Sequence, residues 1–212
     1  CPQCSPETAS TKPYKGKMTM EDWTALEGSC QSCQKCNLCQ TRHNVVFGTG
    51  NREAKLLFVG EGPGEQEDLQ GMPFVGPAGK FLDDMLSILD LDRNKCYIAN
   101  IVKCRPPRNR DPEPEEKDAC IGFLHRQIQL IAPVIIVCLG RIAATSLIRE
   151  DFRITREHGT WTQKDGIWMS ATYHPSALLR DVSKRPQAFA DLLSLREKMI
   201  QLGLGTGLGK LF

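Results

Sequence analysis

The stretch KLLFVGEGPGEQEDLQGMPFVGPAGK, Lys55–Lys80, decides the fold. Its first five residues are a short apolar run bounded by glycine, the pattern of a strand buried on both faces, over Lys55–Val59. From Val59 to Lys80 it holds six glycines, three prolines and four carboxylates, so no regular structure is expected until about Ala78. A stiff polar loop leaving a strand end is where an α/β protein builds a site. Two nucleotide motifs fail on residues. Gly60-Glu61-Gly62-Pro63-Gly64-Glu65 lacks the third glycine of a dinucleotide fingerprint and puts Pro63 where a helix should open. Gly79-Lys80 resembles the end of a P-loop, but Phe74 stands at its first glycine and Phe81 at its magnesium-binding hydroxyl.

The same kind of run recurs outward from this stretch. Strands are expected at Cys96–Val102, Val134–Leu139 and Ile167–Thr172. Helices are expected at Ala78–Leu89, Pro114–Ile131, Arg141–Ile148 and Arg185–Leu202. Strands alternating with helices predict a largely parallel sheet covered on both faces, with ligands at the carboxyl ends of its strands. Ahead of this unit, Met20 to about Cys36 reads as a helix. Thr19 could cap it, Glu21 and Asp22 suit its positive end, and Trp23, Leu26 and Cys30 share one face. Residues 1–19 are polar and without apolar period and read as a loosely attached lead-in, residues 20–202 as the domain, and 203–212 as a flexible glycine-rich tail.

Composition sets outer limits. With 41% hydrophobic and 25% charged residues over 212, the chain resembles an ordinary globular protein, and its longest apolar run is too short for a membrane span. Net charge is only +2, so any nucleic-acid surface must come from local clustering. Ten cysteines in a chain that needs no disulfide staples point to thiolate metal ligands in a reducing, cytoplasmic setting. Cys30, Cys33, Cys36 and Cys39 stand three apart. The Cys1 and Cys4 pair reads as uncommitted, or as half of a zinc ribbon closed by Cys30 and Cys33.

Three loops after strands carry the remaining candidates. In the first, Phe74 between two prolines is either a loop anchor in the core or an aromatic offered to a ligand. In the second, Asn100 is followed by Lys103, Arg105, Arg108 and Arg110, a polar recognition group beside a phosphate-binding patch or else a solvated charge run. In the third, Tyr173-His174-Pro-Ser-Ala-Leu178-Leu179-Arg180 sets a histidine at a strand end; its two leucines would wedge into a duplex or pack under the helix.

Read together, Cys36-x-Leu38-x-x-Thr41-Arg42 with Val45-Val-Phe-Gly48, Gly60-Glu-Gly-Pro-Gly-Glu-Gln-Glu-Asp68, Pro73-Phe-Val-Gly76, Asn100-Ile-Val-Lys-Cys-Arg-Pro-Pro107 and His174-Pro-Ser-Ala-Leu-Leu-Arg180 resemble one family. It is family 4 of the uracil-DNA glycosylases, the iron-sulfur type, and the likeness runs from about Cys33 to Leu202. The resemblance implies a three-layer αβα sandwich around a four-stranded, largely parallel sheet, and hydrolysis of the N-glycosidic bond of a flipped-out uracil in DNA. Phe74 would stack on the base, Asn100 would read its O4 and N3–H edge, and His174 would sit near O2. Glu61 and Gly62 would floor the pocket, with Glu67 and Asp68 as supporting carboxylates. Lys103, Arg105, Arg108 and Arg180 would meet phosphates, and Leu178 and Leu179 the duplex.

The resemblance also implies a [4Fe–4S] cluster held by Cys33, Cys36, Cys104 and Cys120, although four thiolates fit structural zinc as well. A monomer acting on single- or double-stranded uracil-containing DNA is expected. The alternatives are a non-catalytic iron-sulfur DNA-binding module and a glycosylase for another deaminated base such as hypoxanthine.

Overall fold

Leu57 and Val59 pack into one buried cluster and Leu56 and Phe58 into another, so the first long strand is apolar on both faces because both faces are covered. In the computed structural model, which describes residues 20–205, this strand is β2 (Leu56–Gly60). It lies between β3 (Tyr97–Asn100) and β4 (Ile135–Leu139), and β6 (Ile167–Thr172) continues the sheet beyond β4, all four parallel. Short antiparallel edges, β1 (Thr49–Gly50) and β5 (Thr162–Lys164), extend the order to β1-β3-β2-β4-β6-β5. The four expected strands are thus the parallel core of a six-stranded mixed sheet. The edge strands carry no apolar run: β5 is exposed throughout and closes a hairpin on Asp165-Gly166, both with positive φ.

One face of the sheet is covered by α1 (Met20–Gln31), α4 (Pro114–Ile131) and α5 (Arg141–Leu147), through residues such as Trp23, Phe123, Leu124 and Ala143. The other is covered by α3 (Pro77–Ile88) and the long C-terminal helix Arg185–Gln201, through Leu82, Leu86, Leu192 and Leu195. This is the three-layer αβα arrangement.

Two elements differ from the sequence reading. The glycine-rich stretch contains a helix, α2 (Glu65–Gln70). Three carboxylates in its first turn suit the helix dipole, the Glu67 carboxylate accepts the Gly64 N–H at 3.1 Å, and Gly71 ends it at φ 70°. The N-terminal helix stops at Gln31 rather than near Cys36; a 3₁₀ turn at Asn37–Gln40 follows, so Cys33 and Cys36 stand on irregular chain. The Thr19 cap, the Cys1 and Cys4 pair, the 1–19 lead-in and the tail beyond 205 lie outside the described residues.

Candidate active site

Parallel pairing sets Gly60 directly beside Asn100 at the carboxyl ends of β2 and β3. The fit is close enough to need glycine. A Cβ at Gly60 would stand 2.4 Å from Asn100 Oδ1 and 2.6 Å from the Phe74 ring, and one at Gly62 would stand 2.7 Å from Val102 Cγ2. Above these strand ends opens a cavity of about 930 Å³ lined by Glu61, Gly62, Phe74, Asn100, Asp111, His174 and Arg180, among others.

Phe74 is buried, and its backbone is held at φ 54°, a conformation a bulky residue rarely adopts. The loop is over-determined around it. Arg93 donates to the carbonyls of Phe74 and, at 3.0 Å, Pro73, while Glu67 Oε1 accepts the N–H groups of Val75 at 2.9 Å and Gly76 at 2.8 Å. Glu67 therefore ties the start of α2 to the loop that carries Phe74.

His174 caps α7 (Pro175–Arg180), its ring centroid 5.7 Å from that of Phe74. The Ser176 N–H donates to Nδ1 at 3.2 Å, which leaves the ring proton on Nε2. Burial, with Arg180 adding to it, pushes the His174 pKa down to about 4, so the ring is neutral at physiological pH. Asn100 is 1% exposed, and its Oδ1 is, among the described residues, the one buried side-chain polar atom without a hydrogen-bond partner. Such an atom costs free energy unless something donates to it. Glu61 is partly buried; burial first, and then the charge of Asp111, raise its pKa to about 7 against the opposing pull of Arg141 and Arg180.

On the other face of the sheet, Cys104 and Cys120 are buried beside the half-buried Cys33 and Cys36. Arg42 Nη1 donates to Cys104 Sγ and the Lys103 N–H to Cys120 Sγ, both at 3.2 Å. N–H donors aimed at sulfur favour the thiolate that a metal centre requires. Without metal, burial holds both thiols up, Cys120 at about 11.

The profile of the uracil DNA glycosylase superfamily matches residues 47–195. The chain is 43% identical over 188 residues to the type-4 uracil-DNA glycosylase of Archaeoglobus fulgidus, covering 84% of this chain and 94% of that one. It is 47% identical over 190 residues to the type-4 enzyme of Sulfurisphaera tokodaii, covering 85% and 86%. A type-5 uracil-DNA glycosylase of Thermus thermophilus is 32% identical over 151 residues, covering 62% and 68%. The chain belongs to the uracil DNA glycosylase superfamily.

In this superfamily member the structure brings Glu61, Gly62, Glu67, Phe74, Asn100 and His174 to one cavity, and it moves three expected residues elsewhere. Lys103 was read as a phosphate contact, but its side chain turns inward from the end of β3. It is 1% exposed, with Nζ donating to Gln127 Oε1 at 2.6 Å. The resemblance sets Leu178 against the duplex, but it takes the other course open to these leucines and lies 1% exposed beneath α7 in the apolar cluster, while Leu179, at 40%, is the outward leucine. Asp68 does not line the cavity: it accepts the His43 N–H at 2.9 Å, pairs with the His43 ring at 2.6 Å, and so holds residues 43–44 against α2. Arg105, half-buried, pairs with Asn109 and stands 3.6 Å from Glu65; Arg108 and Arg180 are exposed.

Sequence reasoning missed Asp111, ion-paired to Arg141, and placed Arg110 in the basic run without its partner: Glu116 clamps it at 2.6 and 2.8 Å, and both Asp111 and Arg110 line the cavity. Arg42 sits in a quoted motif, yet its sulfur partner is distant in the chain and no spacing rule reveals it.

Proposed function

We propose that this protein is a monofunctional uracil-DNA glycosylase that hydrolyses the bond between uracil and deoxyribose in DNA and leaves an abasic site. The observation that carries this is Asn100, its Oδ1 enclosed without a hydrogen-bond donor, in the lining of a cavity that also includes Gly62 and Phe74. Uracil offers an N–H at N3 to that oxygen and its O4 to the amide Nδ2–H. Cytosine presents an acceptor at N3 and a donor at C4, the reverse pattern, and would leave both groups unpaired. The names of the type-4 relatives agree with this reading.

The base must leave the duplex to reach the cavity, at a cost of a few kcal/mol that stacking on Phe74, about 1–3 kcal/mol, partly offsets. When the glycosidic bond breaks, its electron pair goes to uracil and the sugar becomes cationic. Neutral His174, with its proton on Nε2, donates to the O2 where negative charge grows. Water then bonds to the sugar carbon, and Glu61 as carboxylate takes its proton. Gly62, where a side chain would strike Val102, gives no room for a carboxylate of its own, so leaving-group stabilisation dominates.

Cys33, Cys36, Cys104 and Cys120 would hold a [4Fe–4S] cluster on the face away from the base pocket. The donor chemistry fits, four sulfurs of which two receive N–H bonds, although among the described residues no three such side chains converge into a formed metal site. The cluster's part is structural, tying the segment after α1 to the loop after β3 and to α4. Arg105, Arg108 and Arg180 face the phosphates, and Leu179 enters the stack.

The deciding experiment is release of free uracil from a uracil-containing oligonucleotide; DNA binding without release refutes the enzyme. Competition by hypoxanthine-containing strands tests the substrate. Two further results are expected. Uracil release rises as pH increases through about 7, as Glu61 loses its proton, and the rise is absent in Glu61→Gln; an identical profile in the variant would rule Glu61 out as the base. Leu179→Ala lowers excision from paired DNA while sparing single strands. Leu178→Ala instead costs about 2–5 kcal/mol of stability, measured by denaturant unfolding, because it empties a core position.

A further inference from the structure

Lys103 is a buried lysine without a carboxylate partner. Its side chain is fully enclosed, its hydrogen-bond acceptor is the neutral Gln127 amide oxygen at 2.6 Å, and Gln127 is itself anchored by donating to Phe47 O at 3.0 Å. Among the described residues no acidic side chain stands within ion-pair distance of it, and the ionisable groups whose charge reaches it are Cys120 and Cys30. Burial favours the neutral amine, so an enclosed ammonium with only a neutral partner is kept where a counter-charge exists. The same residue's backbone N–H donates to Cys120 Sγ, so ammonium and cysteine set are joined through one residue.

We propose that Lys103 is the internal counter-ion of the four-cysteine centre. This rests on the cluster reading above. The core of such a cluster carries fewer positive charges than its four thiolates carry negative ones, so the centre is an anion inside protein. Lys103 from within and Arg42, 3.2 Å from Cys104 Sγ, from the rim supply the opposing charge. Net charge and hydrogen bonds to sulfur set the reduction potential of a cluster, so a buried cation holds it higher than the thiolates alone would. The lysine in the basic run thus serves the metal centre, and the exposed arginines serve DNA.

The test uses anaerobically purified full-length holoprotein, with iron and sulfide analysis and an EPR-monitored redox titration. Lys103→Met keeps the volume and removes the charge. Its reduction midpoint is expected to move negative by at least a tenfold change in the reduction equilibrium, about 59 mV for one electron. Gln127→Glu neutralises the ammonium in place and should move the midpoint the same way, which keeps the test open if the first variant fails to load. The salt dependence of DNA binding should be unchanged in Lys103→Met, whereas loss of a phosphate contact lowers the slope by about one. A loaded variant with an unmoved midpoint, or a lowered salt slope, overturns the proposal. Wild-type protein without iron and sulfide overturns the cluster reading instead.

Discussion

Asn100→Ala is expected to cut uracil release by about a hundredfold to a thousandfold, the usual cost of removing one positioned hydrogen-bonding group from a closed site. Affinity for DNA should stay near wild type, because the arginines proposed to meet phosphates are untouched. The same substitution should leave the fold as stable as before or slightly more so. In the free protein Asn100 Oδ1 is enclosed without a donor, and an atom of that kind burdens the folded state until substrate arrives. Single-turnover excision alongside denaturant unfolding measures both quantities. Retained excision, or a large loss of stability, would show that the amide is structural.

Cys120→Ser is expected to abolish iron and sulfide content and the visible absorbance of the holoprotein. Its melting temperature should fall by on the order of 10 °C, since a domain of this size loses roughly 2–4 °C per kcal/mol. Cys120 Sγ, on α4, accepts the Lys103 N–H from the loop after β3, so a metal bond there would close a contact between distant parts of the chain. Cys39→Ser serves as the contrast: it lies outside the proposed set and should keep the cluster. Zinc in place of iron in wild-type protein would revise the metal, and full iron content in Cys120→Ser would revise the ligands.

The central strands were legible because burial on both faces demands unbroken apolar runs, and β2, β4 and β6 fall within a residue of those runs. Pro114–Ile131 was legible to the residue from its proline start and helical period. What escaped depended on partners distant in sequence. Helix α2 was hidden under three of the stretch's glycines, at Gly62, Gly64 and Gly71, because the Glu67 bonds that brace its start come from its own fold and the loop beyond it. The run from Lys103 to Arg110 reads as one basic patch, yet the lysine follows the strand inward while Arg108 sits exposed on a turn. Residue type announces charge; only the register of the preceding strand says which way that charge faces. Asp111 had no signal at all, since its role depends on Glu61 and on Arg141, which lie far from it in the chain.

The adjacency of Gly60 and Asn100 has a consequence for how this enzyme can change over evolutionary time. A side chain at 60 displaces the Asn100 amide and the Phe74 ring together, so three positions spread along the chain behave as one inherited trait and none can drift alone. A lineage acquiring a taste for a different base would have to alter residues 100 and 74 first, while residue 60 stays glycine. In a mutant library selected for new lesions, diversity at 60 should therefore appear only in members that already carry smaller residues at both 100 and 74.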